Sequence, residues 1–130
     1  MSTAKNNKPT ESELEILGIL WEKGSGTVRD VHEILEKSKD AGYTTTLKLM
    51  QIMHEKGLLK RDTSNKTHVY EAAISQESTQ QQLLNKMIDT VFNGSASQLV
   101  LQALGNHRSS QEELDKIKQY LNEIEQQQKK

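Results

Sequence analysis

The chain contains no cysteine, which excludes disulfides, zinc ribbons, thiolate nucleophiles and cysteine-based copper sensing. It has no apolar run approaching the roughly 20 residues of a membrane span. Its start, MSTAKNNKPTESE, lacks the apolar stretch of a secretory signal. A cytoplasmic protein is expected. An excess of one charge is also missing: 17 Lys and Arg stand against 18 Asp and Glu, a formal net charge of −1 with pI about 6.4. Bulk charge therefore announces no polyanionic partner, and a nucleic acid would have to be met by a local basic surface. Apolar residues are scarce as well, 33% of 130. A chain this short with so little apolar content buries only a thin core by itself, a difficulty that sharing a core with a second copy would solve.

Chemistry-bearing constellations are absent too. His32, His54, His68 and His107 show no metal-ligand spacing, so no metal or other cofactor is expected. Gly24 and Gly26 lie in a turn with no strand before them and do not make a phosphate loop. The carboxylates fall on solvated helix faces. Nothing here indicates an enzyme.

What is present is a succession of helix signals. Residues 1–9 are polar and read as a mobile tail. Thr10 opens T-E-S-E, a capping box with Glu13. Leu14, Ile16, Leu17, Leu20 and Trp21 then give a wide apolar stripe that ends at Lys23-Gly24, with Trp21 read as a core anchor. Thr27 caps a second helix with Asp30 at the third position, and Val28, Val31, Ile34 and Leu35 are expected to face inward. A polar loop over residues 37–42 follows.

The stretch YTTTLKLMQIMHEKGLL is the one around which the rest is organised. It opens with a cluster of hydroxyls suited to capping and stops at Lys56-Gly57, where glycine can take the left-handed turn that ends a helix. At about 100° per residue, Thr46, Leu49, Met50 and Met53 share one side, with Leu47 and His54 at its margin. Thr45, Lys48, Gln51, Ile52 and Glu55 share the other, and Thr44 sits at the N-terminus. Hydroxyls, an amide and an ammonium suit base edges and phosphates, and the helix N-terminus favours a phosphate. An ordinary solvated face is an equally good reading from periodicity alone.

Context shifts that balance. LLKRD reads as a strand, TSNKT as a polar turn and HVYEA as the returning strand. Helix, helix, helix, hairpin is the order of a winged helix-turn-helix. Lys66 lies at the hairpin tip and Lys60, Arg61 and His68 flank it, within reach of an adjacent nucleic-acid backbone. Residues 10–74 thus read as a winged-helix DNA-binding domain. From Ser75 the chain becomes glutamine-rich, and then Leu83, Leu84, Met87, Ile88 and Val91 repeat at helical spacing. Phe92-Asn93-Gly94 breaks that helix and Ser95 caps the next, whose inward side is Leu99, Val100, Ala103 and Leu104. Ser110 and Glu113 form another capping box before Leu114, Ile117, Leu121 and Ile124, and residues 126–130 are expected to fray. Three short amphipathic helices are not stable alone, so residues 75–130 read as a helical dimerisation region. The fold expected is mostly α with a small β-hairpin.

ESELEILGILWEKG, TVRDVHEIL, YTTTLKLMQIMHEKGLLKRD, HVYEA and FNGSASQLVLQAL together resemble the penicillinase-repressor family (the BlaI/MecI/CopY type), over residues 10 to about 124. The resemblance implies a homodimer on a palindromic double-stranded operator that overlaps a promoter, hence transcriptional repression. It implies DNA contact by Thr44, Thr45, Lys48 and Gln51. Many relatives carry a basic residue where this chain has Ile52; facing DNA, isoleucine either forgoes a phosphate contact or meets a thymine methyl. Antibiotic-responsive members are relieved through a membrane sensor metalloprotease, with cleavage at an Asn-Phe bond. The matching place here is Gln102-Ala103, so the resemblance supplies the region but not the scissile pair. The rival reading is a winged-helix protein-interaction module without specific DNA binding, which the balanced charge and Ile52 favour.

Overall fold

Thr10 starts helix α1 (Glu11–Lys23) through the expected reciprocal cap: its hydroxyl accepts from Glu13 N at 3.2 Å and its N–H donates to Glu13 Oε1 at 2.9 Å. Gly24, at φ 96°, ends the helix and donates to Leu20 O. Helix α2 (Val28–Leu35) repeats the device with Thr27 and Asp30, at 3.1 and 3.0 Å. Two N–H groups left orphaned at each helix start are thereby satisfied by local side chains. The computed structural model describes residues 8–106 and 108–129. The tail expected over residues 1–9 therefore falls outside the described residues except for Lys8 and Pro9, and His107 and Lys130 fall outside them as well.

Helix α3 (Tyr43–Glu55) starts differently from the expectation. Its N-cap is Gly42, with no side-chain cap, so the threonine hydroxyls do not open it. Thr44 and Thr45 lie inside the first turn, and Thr46 is fully buried, its hydroxyl donating to Gly42 O at 3.4 Å. Lys56 ends the helix and Gly57, at φ 87°, turns the chain into the hairpin. Strand β1 (Leu59–Asp62) pairs antiparallel with β2 (Val69–Ala72), in a register that sets Lys60 opposite Glu71 and Arg61 opposite Tyr70. Asp62 Oδ1 accepts from both the N–H and the hydroxyl of Ser64 at the wing turn, at 2.9 and 2.8 Å. The backbone of Gly26 exchanges two hydrogen bonds with Tyr70, at 2.9 and 2.8 Å, pinning the wing to the turn before α2. A Cβ at Gly26 would stand 3.2 Å from Lys23 Cε and 3.3 Å from Asp30 Cβ, so glycine permits that close approach.

The chain divides into two compact units, Met1–Gln82 and Leu83–Lys130. The core of the first comes from Ile16, Leu17 and Leu20 of α1, Val28, Val31 and Leu35 of α2, Met50 and Met53 of α3, and Leu58, Leu59 and Tyr70 around the hairpin. Burying each such side chain contributes roughly 1.5–3 kcal/mol. Trp21 packs on this core half-buried, and its indole N–H donates to Ile74 O at 2.9 Å, tying α1 to the chain leaving the wing. Ile34 is a correction: it is 40% exposed. Val28, Val31 and Leu35 already fill the inward stripe of this short helix, and Ile34, a residue before Leu35, is rotated about 100° away from it. Glu13 is 3% exposed, and its Oε1 accepts from Lys56 Nζ at 2.7 Å. That ion pair fastens the end of α3 to the start of α1.

Three helices follow: α4 (Gln76–Val91), α5 (Ala96–Asn106) and α6 (Gln111–Gln128). Ser75 and Ser95 accept from the N–H groups of Ser78 and Gln98, and Ser110 with Glu113 forms the expected capping box. Asn93 at φ 52° and Gly94 at φ 81° make the break after α4. Helix α6 continues to Gln128, further than the fraying expected from residue 126. Among the described residues, none of α5 or α6 is buried.

Candidate nucleic-acid interface

Of the side chains singled out on the third helix, Thr44, Thr45, Lys48, Gln51 and Ile52 are all exposed, and Thr46, Met50 and Met53 hold the opposite face in the core. The start of α3 carries no acidic residue in its first turn. Its first N–H groups meet no capping side chain, in contrast with the other helices, each of which begins under a serine or threonine hydroxyl. Uncapped N–H groups with the positive end of the helix dipole behind them suit an anion.

On the wing, Lys60, Lys66 and His68 are exposed and Arg61 is half-buried. Alternation along β1 puts Arg61 and Lys60 on opposite faces. Arg61, Lys66 and His68 meet Gln51 of α3 around one open cavity of about 520 Å3. Lys60 does not line it; it stands across from Glu71 on the other side of the hairpin. Thr44, Thr45, Lys48 and Ile52 form an exposed helix face outside that cavity. Among the described residues, Lys48, Lys60, Arg61 and Lys66 make no ion pair, whereas Lys39 and Lys56 are bound to Glu15 and Glu13. Four unpaired cations therefore stand at α3 and the wing, a local basic surface of the kind that bulk charge conceals.

Sequence reasoning missed two residues here. Arg29, at the start of α2, holds its guanidinium 5.6 Å over the ring of Tyr43, the first residue of α3, and both line the cavity. Tyr43 is held in turn by an edge-on contact with His32, centroids 5.5 Å apart at 84°. His32 Nδ1 lies 3.0 Å from Thr46 Oγ1 and Nε2 lies 3.0 Å from Glu36 Oε1. This network joins α2 to α3 and fixes how the latter is presented. Its only local signal is the charge of Arg29 two residues after the predicted cap Thr27, which periodicity treats as solvent-facing.

Carboxylates near the site are held ionised. Backbone and hydroxyl donors of Thr27, with Lys23 nearby, keep Asp30 below the usual carboxylate range. The N–H and hydroxyl of Ser64 do the same for Asp62. For Glu13 burial pushes the pKa up, but hydrogen bonds from Lys56 and Thr10 outweigh it and the pKa is lowered. No group of three or more His, Asp or Glu among the described residues could hold a metal ion. No helix there is long and apolar enough to cross a membrane.

The residues expected to pair two copies lie on exposed or half-exposed faces of the C-terminal helices. Leu83, Leu99, Leu114, Ile117 and Ile124 are half-buried; Met87, Val91, Val100 and Leu121 are exposed, Val91 at 66% and Leu121 at 54%. Leu101 and Tyr120, outside the expected set, are exposed as well. Gln102 and Ala103 are exposed within α5.

Three helices, a hairpin wing and an exposed polar helix face beside free cations define a winged helix-turn-helix protein with a helical C-terminal region. The chain belongs to the penicillinase-repressor family, whose model, described as penicillinase repressor, matches residues 9–123. It is similar to the methicillin resistance regulatory protein MecI of Staphylococcus aureus (strain N315), 24% identical over 118 residues that cover 91% of this chain and 96% of that protein. It is similar to the penicillinase repressor of Staphylococcus aureus, 22% identical over 121 residues with 91% and 96% covered. The penicillinase repressor of Bacillus licheniformis is 24% identical over 114 residues, with 88% and 89% covered. The family is one of transcriptional repressors, not enzymes, and the chain takes that class with it.

Proposed function

We propose that the protein is a dimeric repressor that binds a palindromic operator overlapping a promoter and excludes polymerase from it. The observation that carries this reading is the exposed face of Thr44, Thr45, Lys48, Gln51 and Ile52 on an uncapped helix, set beside the free cations of the wing. In this reading residues 10–74 bind DNA and residues 75–130 dimerise. Helix α3 enters the major groove, Lys48 reaches a guanine edge or a phosphate, and Gln51 and the threonines donate to and accept from base edges. Ile52 offers an apolar contact for a thymine methyl. Lys60, Arg61, Lys66 and His68 contact the backbone, which supplies affinity and salt dependence rather than sequence discrimination.

Dimerisation is supported by the apolar faces of α4, α5 and α6. Helices of this length do not stand alone in water with leucines and valines half or more exposed. A second copy covers them with the same faces, as a two-fold interface does, and holds two half-sites at high effective concentration. Relief of repression runs, in this proposal, through cleavage near Gln102-Ala103 in a pathway opened by a membrane sensor metalloprotease. Both residues are exposed on a short helix with no buried side chain, the kind of segment that opens locally for a protease.

Hydroxyl-radical footprinting of the DNA upstream of the protein's own gene tests the proposal. Two symmetry-related protected patches about one helical turn apart are expected. A single patch, or none in the presence of saturating protein, would reject the dimeric-operator reading and favour the rival interaction module.

A further inference from the structure

Helix α3 is tied to α2 by an imidazole with a polar partner on each nitrogen. His32 Nε2 lies 3.0 Å from Glu36 Oε1, and Nδ1 lies 3.0 Å from Thr46 Oγ1. An ionised carboxylate only accepts, so Nε2 carries a hydrogen whether the ring is neutral or charged. Nδ1 is then the atom that gains or loses the proton. Thr46 is fully buried, and its one hydroxyl hydrogen has two acceptors within reach, Nδ1 and the Gly42 carbonyl at 3.4 Å. It does not serve both at once. With the ring neutral, the hydroxyl donates to Nδ1. With the ring charged, Nδ1–H donates to Thr46 Oγ1 and the hydroxyl turns to Gly42 O, the N-cap carbonyl of α3. The charge of one side chain on α2 is thus relayed to the first turn of α3.

We propose that His32 is a positioning residue for α3 and that its protonation raises the affinity of the protein for DNA. The DNA half of this rests on the repressor reading; the proton relay does not. Two effects favour the charged ring in the complex. It holds Glu36 and Thr46 through charge-assisted hydrogen bonds and turns the Thr46 hydroxyl onto Gly42 O, which stiffens the start of a helix that has no side-chain cap. It also sets a positive charge against Tyr43, the first residue of α3, with centroids 5.5 Å apart. The side chain is 12% exposed, so water screens that charge little. On its own helix the ring has Glu36, which supports the charge, and Arg29, whose guanidinium lies over Tyr43 and opposes it. From α3 it meets Tyr43 and Thr46. Helix α1 also packs on α2, and its Glu15 is closed in an ion pair with Lys39. The wing brings Arg61, Lys66 and His68 to the cavity that Arg29 and Tyr43 line. Linkage gives the sign. Affinity is full below the pH at which His32 titrates in the free protein and is lost as pH rises through its titration in the complex. Reciprocally, operator binding moves the His32 titration to higher pH.

The test begins without DNA. Ring 15N shifts of His32 in the labelled full-length chain are followed between about pH 5 and about pH 8, where histidines change charge. The neutral ring should carry its hydrogen on Nε2; a neutral ring protonated on Nδ1 overturns the relay. Fluorescence anisotropy over the same range, at constant ionic strength, then measures affinity for the duplex upstream of the protein's own gene. Affinity should rise roughly fivefold on acidification, the low end of typical coupling between linked sites. His68, assigned to the DNA backbone, adds a step of its own, and Glu36→Gln separates the two. Glu36 is exposed and lies outside the residues assigned to DNA, so this variant keeps the fold and the contacts. The ring titration of His32 and its step in affinity should move together to lower pH, and His32→Gln should abolish that step. An equal loss of affinity at every pH in His32→Gln, or a step that stays in place while Glu36→Gln moves the ring titration, would overturn the linkage. Absence of operator binding at every pH would reject the repressor reading, and the linkage to DNA with it. Operator binding that is intact but blind to the charge of His32 would reject the linkage alone.

Discussion

Lys56→Met removes the ammonium that meets Glu13 and keeps most of the aliphatic stem. Glu13 is 3% exposed and shares one oxygen between Lys56 Nζ at 2.7 Å and the Thr10 N–H at 2.9 Å. After the substitution a buried carboxylate retains only the cap. Breaking a buried ion pair costs roughly 3–5 kcal/mol, but the Lys56 side chain is 27% exposed, so solvent already screens part of the attraction. A loss of about 2 kcal/mol follows, or on the order of 8–16 °C in Tm for a domain of this size. The pH dependence has a definite sign. In the parent the lowered Glu13 pKa contributes stability that is complete above the ordinary carboxylate range and is lost as pH falls through the lowered value. In the variant burial is unopposed by Lys56, so the carboxyl moves up and protonation relieves the defect. The gap between parent and variant should be widest near neutrality and close in acid. Thermal unfolding by circular dichroism from about pH 7 to about pH 3 reads both effects. A Tm change under about 2 °C at neutrality, or a gap independent of pH, would refute the reasoning.

Three other substitutions separate the roles assigned to the molecule. Lys48→Ala should weaken operator binding and reduce its salt slope by about one, with Tm unchanged because the side chain is exposed and unpaired; a large Tm loss would contradict that placement. Leu121→Glu should yield monomers in analytical ultracentrifugation, since it puts a charge into the face proposed to meet its copy; an intact dimer would count against the C-terminal assignment. Gly26→Val should destabilise by about 1–3 kcal/mol, read as a lower denaturant midpoint, because the new side chain meets Asp30 and Lys23 beside the Tyr70 bridge.

Much of the fold was legible because its determinants are local. Thr10 with Glu13, Thr27 with Asp30 and Ser110 with Glu113 announce helix starts within four residues of chain, and Gly24, Gly57 and Gly94 announce stops. The polar face of α3 could be read from its period, and the wing from its place after it. What could not be read depends on partners distant in sequence. Nothing near Glu13 points to Lys56, nothing near Gly26 points to Tyr70, and Arg61 looks like any exposed strand cation until its Nε is found buried without an acceptor. Ile34 was misplaced because an apolar residue was equated with an inward one in a helix whose inward stripe was already full. Arg29 and Tyr43 were overlooked because their importance arises only where two helix starts converge.

The central claim, sequence-specific binding of DNA through α3 and the wing, is tested most directly by fluorescence anisotropy. The full-length protein is titrated against its own upstream promoter duplex and against a scrambled duplex of the same composition, at several salt concentrations. Tighter binding to the promoter duplex is expected, with a log-linear fall in affinity with salt steep enough to report several phosphate contacts. Equal affinity for both duplexes, or binding indifferent to salt, would contradict it.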